Sequence, residues 1–328
     1  MDEFALLKSA PCTKCEYEGV YKDRQGNPSL NLSFLMKENQ LSIRRDHHSF
    51  SISVSTGACQ KSVTITSETA PPFSVFWSIL TDVLRFESLF DGCFFPIAEL
   101  RADGRNVADI VRPYILAFYE SEERYTAFQL QFSDREYRNL FHAYRRYEKA
   151  SIIIHPVFLY ATYTNGLTVD LRIALLLQVF EPIALKEAEN GQIALPKPPF
   201  VSYSRRCPQC GKTLTRQQKS PGLRFEDELK AIVDKYGTSI FAGDSKSRIL
   251  KKAVGTRNTV FHVDIADSQS QKFKPAECGF YVKKFSLLYR SIVFCNLGIS
   301  DGIVDDTIQK AVSSLNSSFP QYRITASR

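Results

Sequence analysis

Apolar and polar residues alternate in three short segments near the start of the chain, at 30–35, 51–55 and 62–66. Such alternation is typical of strands with one buried face, and turn-forming residues separate the three segments. Pro71 and Pro72 end this pattern, and residues 73–90 carry apolar side chains at helical spacing. Further strand-like segments follow at 95–100, 115–119 and 125–132. We therefore predict a mixed, mostly β domain over residues 1–132, irregular over residues 1–20, with a sensing or scaffolding role.

Helical spacing dominates from Asp134 onward, where the aspartate can cap the first helix. Helices are predicted at 134–147, 153–163, 167–188 and 225–233, and again from Ser245. The segment 171–180 is apolar on most sides, which is typical of a helix inside a bundle. Residues 190–222 contain several prolines and a cysteine-bearing turn, and they interrupt the helices. The sequence predicts an α+β protein whose second domain, residues 133–328, is an all-α helical bundle with an insertion at 190–222.

The composition is that of a globular protein, with 44% hydrophobic and 23% charged residues among 328. No apolar segment approaches the roughly 20 residues that span a bilayer, and the first residues lack the features of a signal peptide. We therefore expect a cytoplasmic protein with no membrane partner. The net charge is +7, and much of the excess follows residue 200. Arg248, Lys251 and Lys252 are candidate RNA-binding residues, although a solvated helix face would have the same composition.

One predicted helix carries Arg257, Asn258 and His262 close together. Positions four apart lie on the same face of a helix, so Asn258 and His262 share a face and Arg257 flanks it. The arginine fork matches phosphate oxygens, and histidine exchanges protons near neutral pH. These groups can cleave RNA without a metal ion: His262 acts as general acid or base, Arg257 holds the phosphate, and Asn258 positions His262 or bonds the phosphate. The alternative is that His262 is an ordinary packed histidine.

The arrangement R-N-x-x-x-H resembles the R-x4–6-H motif of the HEPN superfamily, whose active members are ribonucleases. The flanking helical segments 250–262 and 277–298 are similar to the HEPN domain of the ApeA family of anti-phage proteins. The resemblance implies a metal-independent endoribonuclease that leaves a 2′,3′-cyclic phosphate and a 5′-hydroxyl. It further implies abortive infection of the host, transfer RNA as a target, a phage-protein trigger, and a homodimer with the motif of both subunits in one cleft. Glu181 would support the catalytic pair, or it is an exposed residue at the end of a turn.

A second, shorter copy of the motif occurs at Arg138 and His142. We exclude it as the active site because no segment after it resembles the following helix of the family. The aromatic residues around it are instead expected to pack in a core.

Two C-x-x-C pairs occur among the eight cysteines, Cys12 with Cys15 and Cys207 with Cys210. The form C-P-x-C-G is that of a zinc knuckle, and a closed structural zinc site has four ligands. We predict one structural Zn²⁺ bound by Cys12, Cys15, Cys207 and Cys210, and no cofactor for catalysis. A thiol redox pair is the alternative for these cysteines. For the whole chain, the alternative to a nuclease is a non-catalytic HEPN-like or zinc-ribbon RNA-binding module.

Overall fold

The computed structural model describes residues 3–20, 37–57, 60–115, 128, 130–151, 154–164, 166–196, 200–206, 208–219, 225–262 and 271–325. These residues form two compact units. The first contains residues 1–168 and 292–307, and the second contains residues 169–291 and 308–328. The structural division therefore places the first helices after residue 133 with the sheet, whereas the sequence suggests a boundary ahead of them.

A six-stranded antiparallel sheet is the centre of the first unit, in the order β2-β3-β4-β1-β5-β6. The strands are β1 (Lys14–Val20), β2 (Lys37–Arg45), β3 (His48–Thr56), β4 (Gln60–Ser67), β5 (Ile97–Ala102) and β6 (Arg105–Asn106). The helices of this unit are α1 (Glu3–Ser9), α2 (Phe73–Asp91), α3 (Ala108–Ile115), α4 (Asp134–Ala150) and α5 (Ile154–Tyr163).

The alternation seen in the sequence is the inside–outside alternation of the sheet. Phe50, Ile52 and Val54 of β3 are buried, while the residues between them are exposed. Helix α2 lies on this buried face, where the rings of Phe50 and Phe76 meet edge to face at 5.2 Å. Gly92 ends α2 in the left-handed conformation, φ 67°, and its N–H donates to the Ser88 carbonyl. The predictions of β3, β4, β5 and α2 are thereby confirmed.

The second unit is mainly helical. Its helices are α6 (Val169–Gln178), α7 (Phe180–Glu189), α8 (Phe225–Tyr236), α9 (Lys246–His262), the first turns of α10 (Pro275–Leu297) and the last turns of α11 (Asp301–Ser318), followed by a 3-10 turn at Pro320–Tyr322. It also holds an antiparallel hairpin of β7 (Phe200–Arg206) and β8 (Thr213–Lys219). The mixed α+β class is confirmed, and no described helix is long and apolar enough to cross a membrane.

Several predictions differ from the structure. Residues 3–20 are not irregular but form α1 and the inner strand β1. Residues 128 and 130–132 lie outside any strand, and the predicted strand at 30–35 lies outside the described residues. Of the strand predicted at 115–119, residue 115 ends helix α3 and the others lie outside the described residues. The N-cap of α4 is Ser133, not Asp134, because its hydroxyl accepts the Glu136 N–H while Glu136 bonds back to the Ser133 N–H. The predicted insertion at 190–222 contains the hairpin β7–β8, which the sequence does not predict.

Candidate functional site

The candidate site is built on α9, whose position is fixed by a close approach of backbone in its middle. A Cβ atom on Gly255 would lie 2.1 Å from the carbonyl oxygen of Gln271, so only glycine allows this crossing. The next residue, Thr256, accepts the N–H of Phe273 at 3.0 Å and donates to the carbonyl of Lys252 at 2.8 Å. The segment that leads into α10 is thus attached to α9 at the residue directly before Arg257.

Arg257 has partners on three other segments of the second unit. Its Nη2 donates to Oε1 of Gln178 at 2.9 Å and forms an ion pair with Glu181. Its guanidinium lies on the ring face of Phe225, 4.3 Å from the ring centre. Gln178 ends α6 and Glu181 lies in the first turn of α7, so the break between these two helices presents both acceptors. The Arg257 side chain is only 13% exposed, whereas that of Glu181 is 41% exposed.

A second carboxyl group, Glu228 of α8, lies buried close to this ion pair. Burial raises the pKa of Glu228 to about 7, the Glu181 carboxylate adds to the effect, and the Arg257 guanidinium opposes it. Glu228 is therefore partly protonated near neutral pH. Glu228 is not among the site residues predicted from the sequence. A glutamate among Phe225, Leu229 and Ile232 on the apolar face of a helix is nevertheless a sequence signal of a carboxyl group with an unusual pKa.

Asn258 and His262 both belong to α9, which is continuous from Lys246 to His262. Asn258 is exposed, and helix geometry places it on the face that also carries position 262. The side chain of His262 lies outside the described residues. The structure therefore brings Arg257 together with Glu181, and it places Asn258 and His262 on the same helix as Arg257.

The three candidate RNA-binding residues on α9 have different surroundings. Lys252 forms an ion pair with Glu277 at 2.8 Å, and Arg248 donates to the carbonyl of Thr325 at 3.2 Å. Lys251 is exposed. Of these three residues, only Lys251 is fully exposed to solvent. Arg248 and Lys252 are partly buried, and their contacts link α9 to other segments of the second unit.

The cysteine pairs lie in different units. Cys12 and Cys15 are buried in the first unit, next to and within β1. Burial raises the pKa of the Cys12 thiol to about 11, and its sulfur donates to the carbonyl of Lys14. Cys210 is exposed at the connection of β7 and β8, followed by Gly211 with φ 66°, while Cys207 lies outside the described residues.

A hairpin tip with a left-handed glycine after the second cysteine suits the knuckle form of a zinc ligand pair. Among the described residues, which exclude Cys207, no group of three or more Cys, His, Asp and Glu is placed to bind a metal ion. The zinc site common to both pairs stays a prediction.

The shorter motif copy lies on α4 in the first unit. Tyr137, Phe141, Tyr144 and Tyr147 are buried, as expected for core residues. Burial lowers the pKa of His142, and the neighbouring arginines of α4 lower it further. In the described contacts Arg138 has no carboxylate partner of the kind that Glu181 provides to Arg257. His142 therefore has a similar sequence context to His262 without the surrounding site, and it is a matched control for His262.

No protein-family model, no curated protein and no solved structure matches this chain.

Proposed function

We propose that the protein is a metal-independent endoribonuclease that uses Arg257 and His262, with Asn258 in support, in a HEPN-type helical domain. The observation that carries the proposal is the environment of Arg257. Gln178, Glu181 and the Phe225 ring hold its guanidinium in one orientation, on the helix that also carries Asn258 and His262. Transfer of an RNA phosphate without a metal ion needs a fixed cation and a titratable imidazole, and α9 carries both residue types.

In the proposed reaction, the ribose 2′-oxygen attacks the adjacent phosphorus and the bond from phosphorus to the 5′-oxygen breaks. His262 takes the proton of the 2′-hydroxyl, and an imidazolium returns a proton to the departing 5′-oxygen. Arg257 stabilises the negative charge that develops on the phosphate. The products are a 2′,3′-cyclic phosphate and a 5′-hydroxyl. A homodimer would supply base and acid from the histidines of two chains.

The Glu181 carboxylate must make room for the phosphate, and its exposure permits this. Because the Glu181 side chain is 41% exposed, water can hydrate its carboxylate when the carboxylate leaves the Arg257 guanidinium, so breaking this ion pair costs little free energy. Gln178 and Phe225 would keep Arg257 in place during that exchange. Glu181 is thus a positioning residue in this proposal.

The chemistry is tested by the ends of the fragments and by a modified substrate. Purified protein is incubated with total RNA and transfer RNA in EDTA, and then with an oligonucleotide whose scissile ribose lacks its 2′-hydroxyl. We expect cyclic-phosphate ends from the RNA and no cleavage of the deoxy substrate. Cleavage of the deoxy substrate, or a requirement for divalent metal, would exclude the mechanism. Addition of phage-infected lysate tests the proposed phage-protein trigger of an anti-phage, abortive-infection role.

The ion pair of Arg257 also favours a second candidate, a non-catalytic RNA-binding module. Glu181, Gln178 and Phe225 are sufficient to explain Arg257 as a residue that joins α6, α7, α8 and α9. A pure binding module would bind RNA equally well after His262→Ala, and neither protein would cleave it.

We further propose one structural Zn²⁺ bound by Cys12, Cys15, Cys207 and Cys210, with no role in the reaction. Two buried thiols provide half of a four-thiolate site, so a second pair is needed to close it. The test is the zinc content of the purified wild type and of Cys210→Ser. We expect one zinc ion per chain in the wild type and loss of zinc in the variant, whereas a wild type without zinc would favour the thiol redox alternative.

A further inference from the structure

The hairpin β7–β8 has an unusual charge composition. Residues 200–219 contain five basic residues and no acidic residue, while the whole chain has a net charge of +7. One short hairpin therefore carries most of the positive excess of the protein. The basic residues are Arg205, Arg206, Lys212, Arg216 and Lys219.

The register of the hairpin distributes these cations over both faces and the tip. Tyr203 pairs with Arg216, and Arg205 lies two residues along the same face. Arg206 and Lys219 belong to the opposite face, and Lys212 lies in the connection. In this register each strand cation is paired with an uncharged residue, and Arg205 and Arg216 are diagonal neighbours on one face.

The described side chains of the hairpin are open to solvent. Arg206 and Lys212 are exposed, as are Ser204 and Thr215, whose hydroxyls bond to each other across the strands at 3.1 Å. Arg206 donates from Nε to the carbonyl of Gly211, which leaves its two terminal nitrogens available. Among the residues that the structure describes, no carboxylate pairs with Arg206 or Lys212.

This environment contrasts with the basic residues of α9. Lys252 is neutralised by Glu277, and Arg248 is occupied by a backbone carbonyl. The Lys252 and Glu277 side chains are only 16% and 18% exposed, so Lys252 would have to leave a poorly solvated carboxylate before it could bind a phosphate. Arg206 and Lys212 have no such cost, because no described carboxylate is paired with either of them.

We infer that the hairpin β7–β8 is a binding arm for single-stranded RNA, which it holds by the phosphates. The inference rests on the proposed function in that RNA is the expected partner, but it concerns binding and not cleavage. Arginines and lysines near an aromatic residue form the surface that tracks single strands, where phosphates neutralise the cations and bases stack. Paired RNA is a poorer fit because its deep, narrow major groove does not admit protein side chains.

The test is a binding measurement in a His262→Ala background, so that the RNA stays intact. The variant Arg206→Gln, Lys212→Gln, Arg216→Gln retains all four candidate zinc ligands. Its control, Arg44→Gln, Arg135→Gln, Lys149→Gln, removes the same charge from exposed positions of the first unit. Affinity for a fluorescent single-stranded RNA of about 20 nucleotides is measured by anisotropy over a series of salt concentrations.

We expect the hairpin variant to bind at least about tenfold more weakly near physiological salt, and the dependence of log affinity on log salt to flatten by about 2, since three phosphate contacts are lost. The control variant should stay within about twofold of its parent. Equal affinity of the two variants, or an equal loss in both, would overturn the inference. Retained RNA binding with lost binding to phosphatidylserine vesicles would also overturn it and identify a membrane surface instead. Failure of cleavage by the wild type leaves this binding test intact, so the two proposals fail separately.

Discussion

Two ion-pair clusters, one in each unit, use similar residues in opposite environments. In the first unit, Lys61 of β4 lies between Glu87 and Asp91 of α2 at 2.5 Å from each, and its side chain is 1% exposed. Tyr137 of α4 donates to the same Glu87 at 2.6 Å. In the second unit, Arg257 is paired with Glu181, whose side chain is 41% exposed.

The difference in exposure separates a structural ion pair from one that can change partner. Burial alone would lower the pKa of Lys61, but Asp91 and Glu87 hold it above its ordinary value, so the lysine stays charged. No ligand can enter this cluster without disrupting the core. At Arg257, by contrast, water already reaches the carboxylate, and a phosphate can take its place.

The same substitution in both clusters gives the largest expected contrast. Glu87→Gln should lower the free energy of unfolding by about 3 kcal/mol, because it removes one buried carboxylate from a lysine that cannot be solvated. Glu181→Gln should lower it by at most about 1 kcal/mol, because the pair is solvated and Arg257 keeps Gln178 and Phe225. Urea denaturation of both variants measures the difference. Similar losses in the two variants would show that the Arg257 pair is as structural as the buried one.

A second contrast tests what fixes α9. Gly255→Ala should destabilise the protein by about 1–3 kcal/mol despite the higher helix propensity of alanine, because the new Cβ meets the Gln271 carbonyl. The matched control is Gly302→Ala in α11, where a Cβ meets no atom within 4 Å. That change should stabilise by about 0.5–1 kcal/mol. A stabilising Gly255→Ala would mean that the backbone crossing does not hold the candidate site.

The third contrast concerns pH and the second carboxyl of the site. The pKa of folded Glu228 is raised from 4.5 to about 7, so folding takes up a proton between these values. The stabilisation is complete below about pH 4.5 and is lost as the pH rises through about 7. Glu228→Gln should match the wild type at pH 5 and exceed its stability by about 1–2 kcal/mol at pH 8, as urea denaturation can measure. In Glu181→Gln the transition should move to lower pH, since Glu181 contributes to the raised pKa. If the free energy of unfolding of Glu228→Gln differed from that of the wild type by the same amount at pH 5 and at pH 8, the raised pKa of Glu228 would be contradicted.

Periodicity predicts the regular elements well where one face is buried. The alternation of β3 and β4 and the apolar spacing of α2 and α4 correspond to core positions, because burial determines those residue types. Strand β1 is missed because Tyr17 is its only large apolar residue beside charged Lys14, Glu16 and Glu18, and it is held by pairing on both sides. Such a strand is specified by its neighbours and not by its own pattern.

The candidate site shows the same limit. The helical relation of Arg257, Asn258 and His262 follows from their spacing along one element. The contacts of Arg257 with Gln178 and Phe225, and its proximity to Glu228, depend on how α6, α8 and α9 pack, which no spacing within one helix contains. The hairpin β7–β8 is not predicted from the sequence, because the prolines directly before it indicate a loop. The alternation of Val201 and Tyr203 with polar residues is the signal that favours a strand there.

The central claim is that His262 and Arg257 cleave RNA without metal, and the most direct test compares two histidines of similar sequence context. Cleavage of transfer RNA and total RNA is timed in EDTA for the wild type, His262→Ala, Arg257→Ala and His142→Ala. The account predicts a loss of at least about a hundredfold for His262→Ala and Arg257→Ala, since each removes a group that acts in the transition state. It predicts an unchanged rate for His142→Ala. Cleavage that persists in His262→Ala, or that disappears equally in His142→Ala, would contradict the assignment of the site.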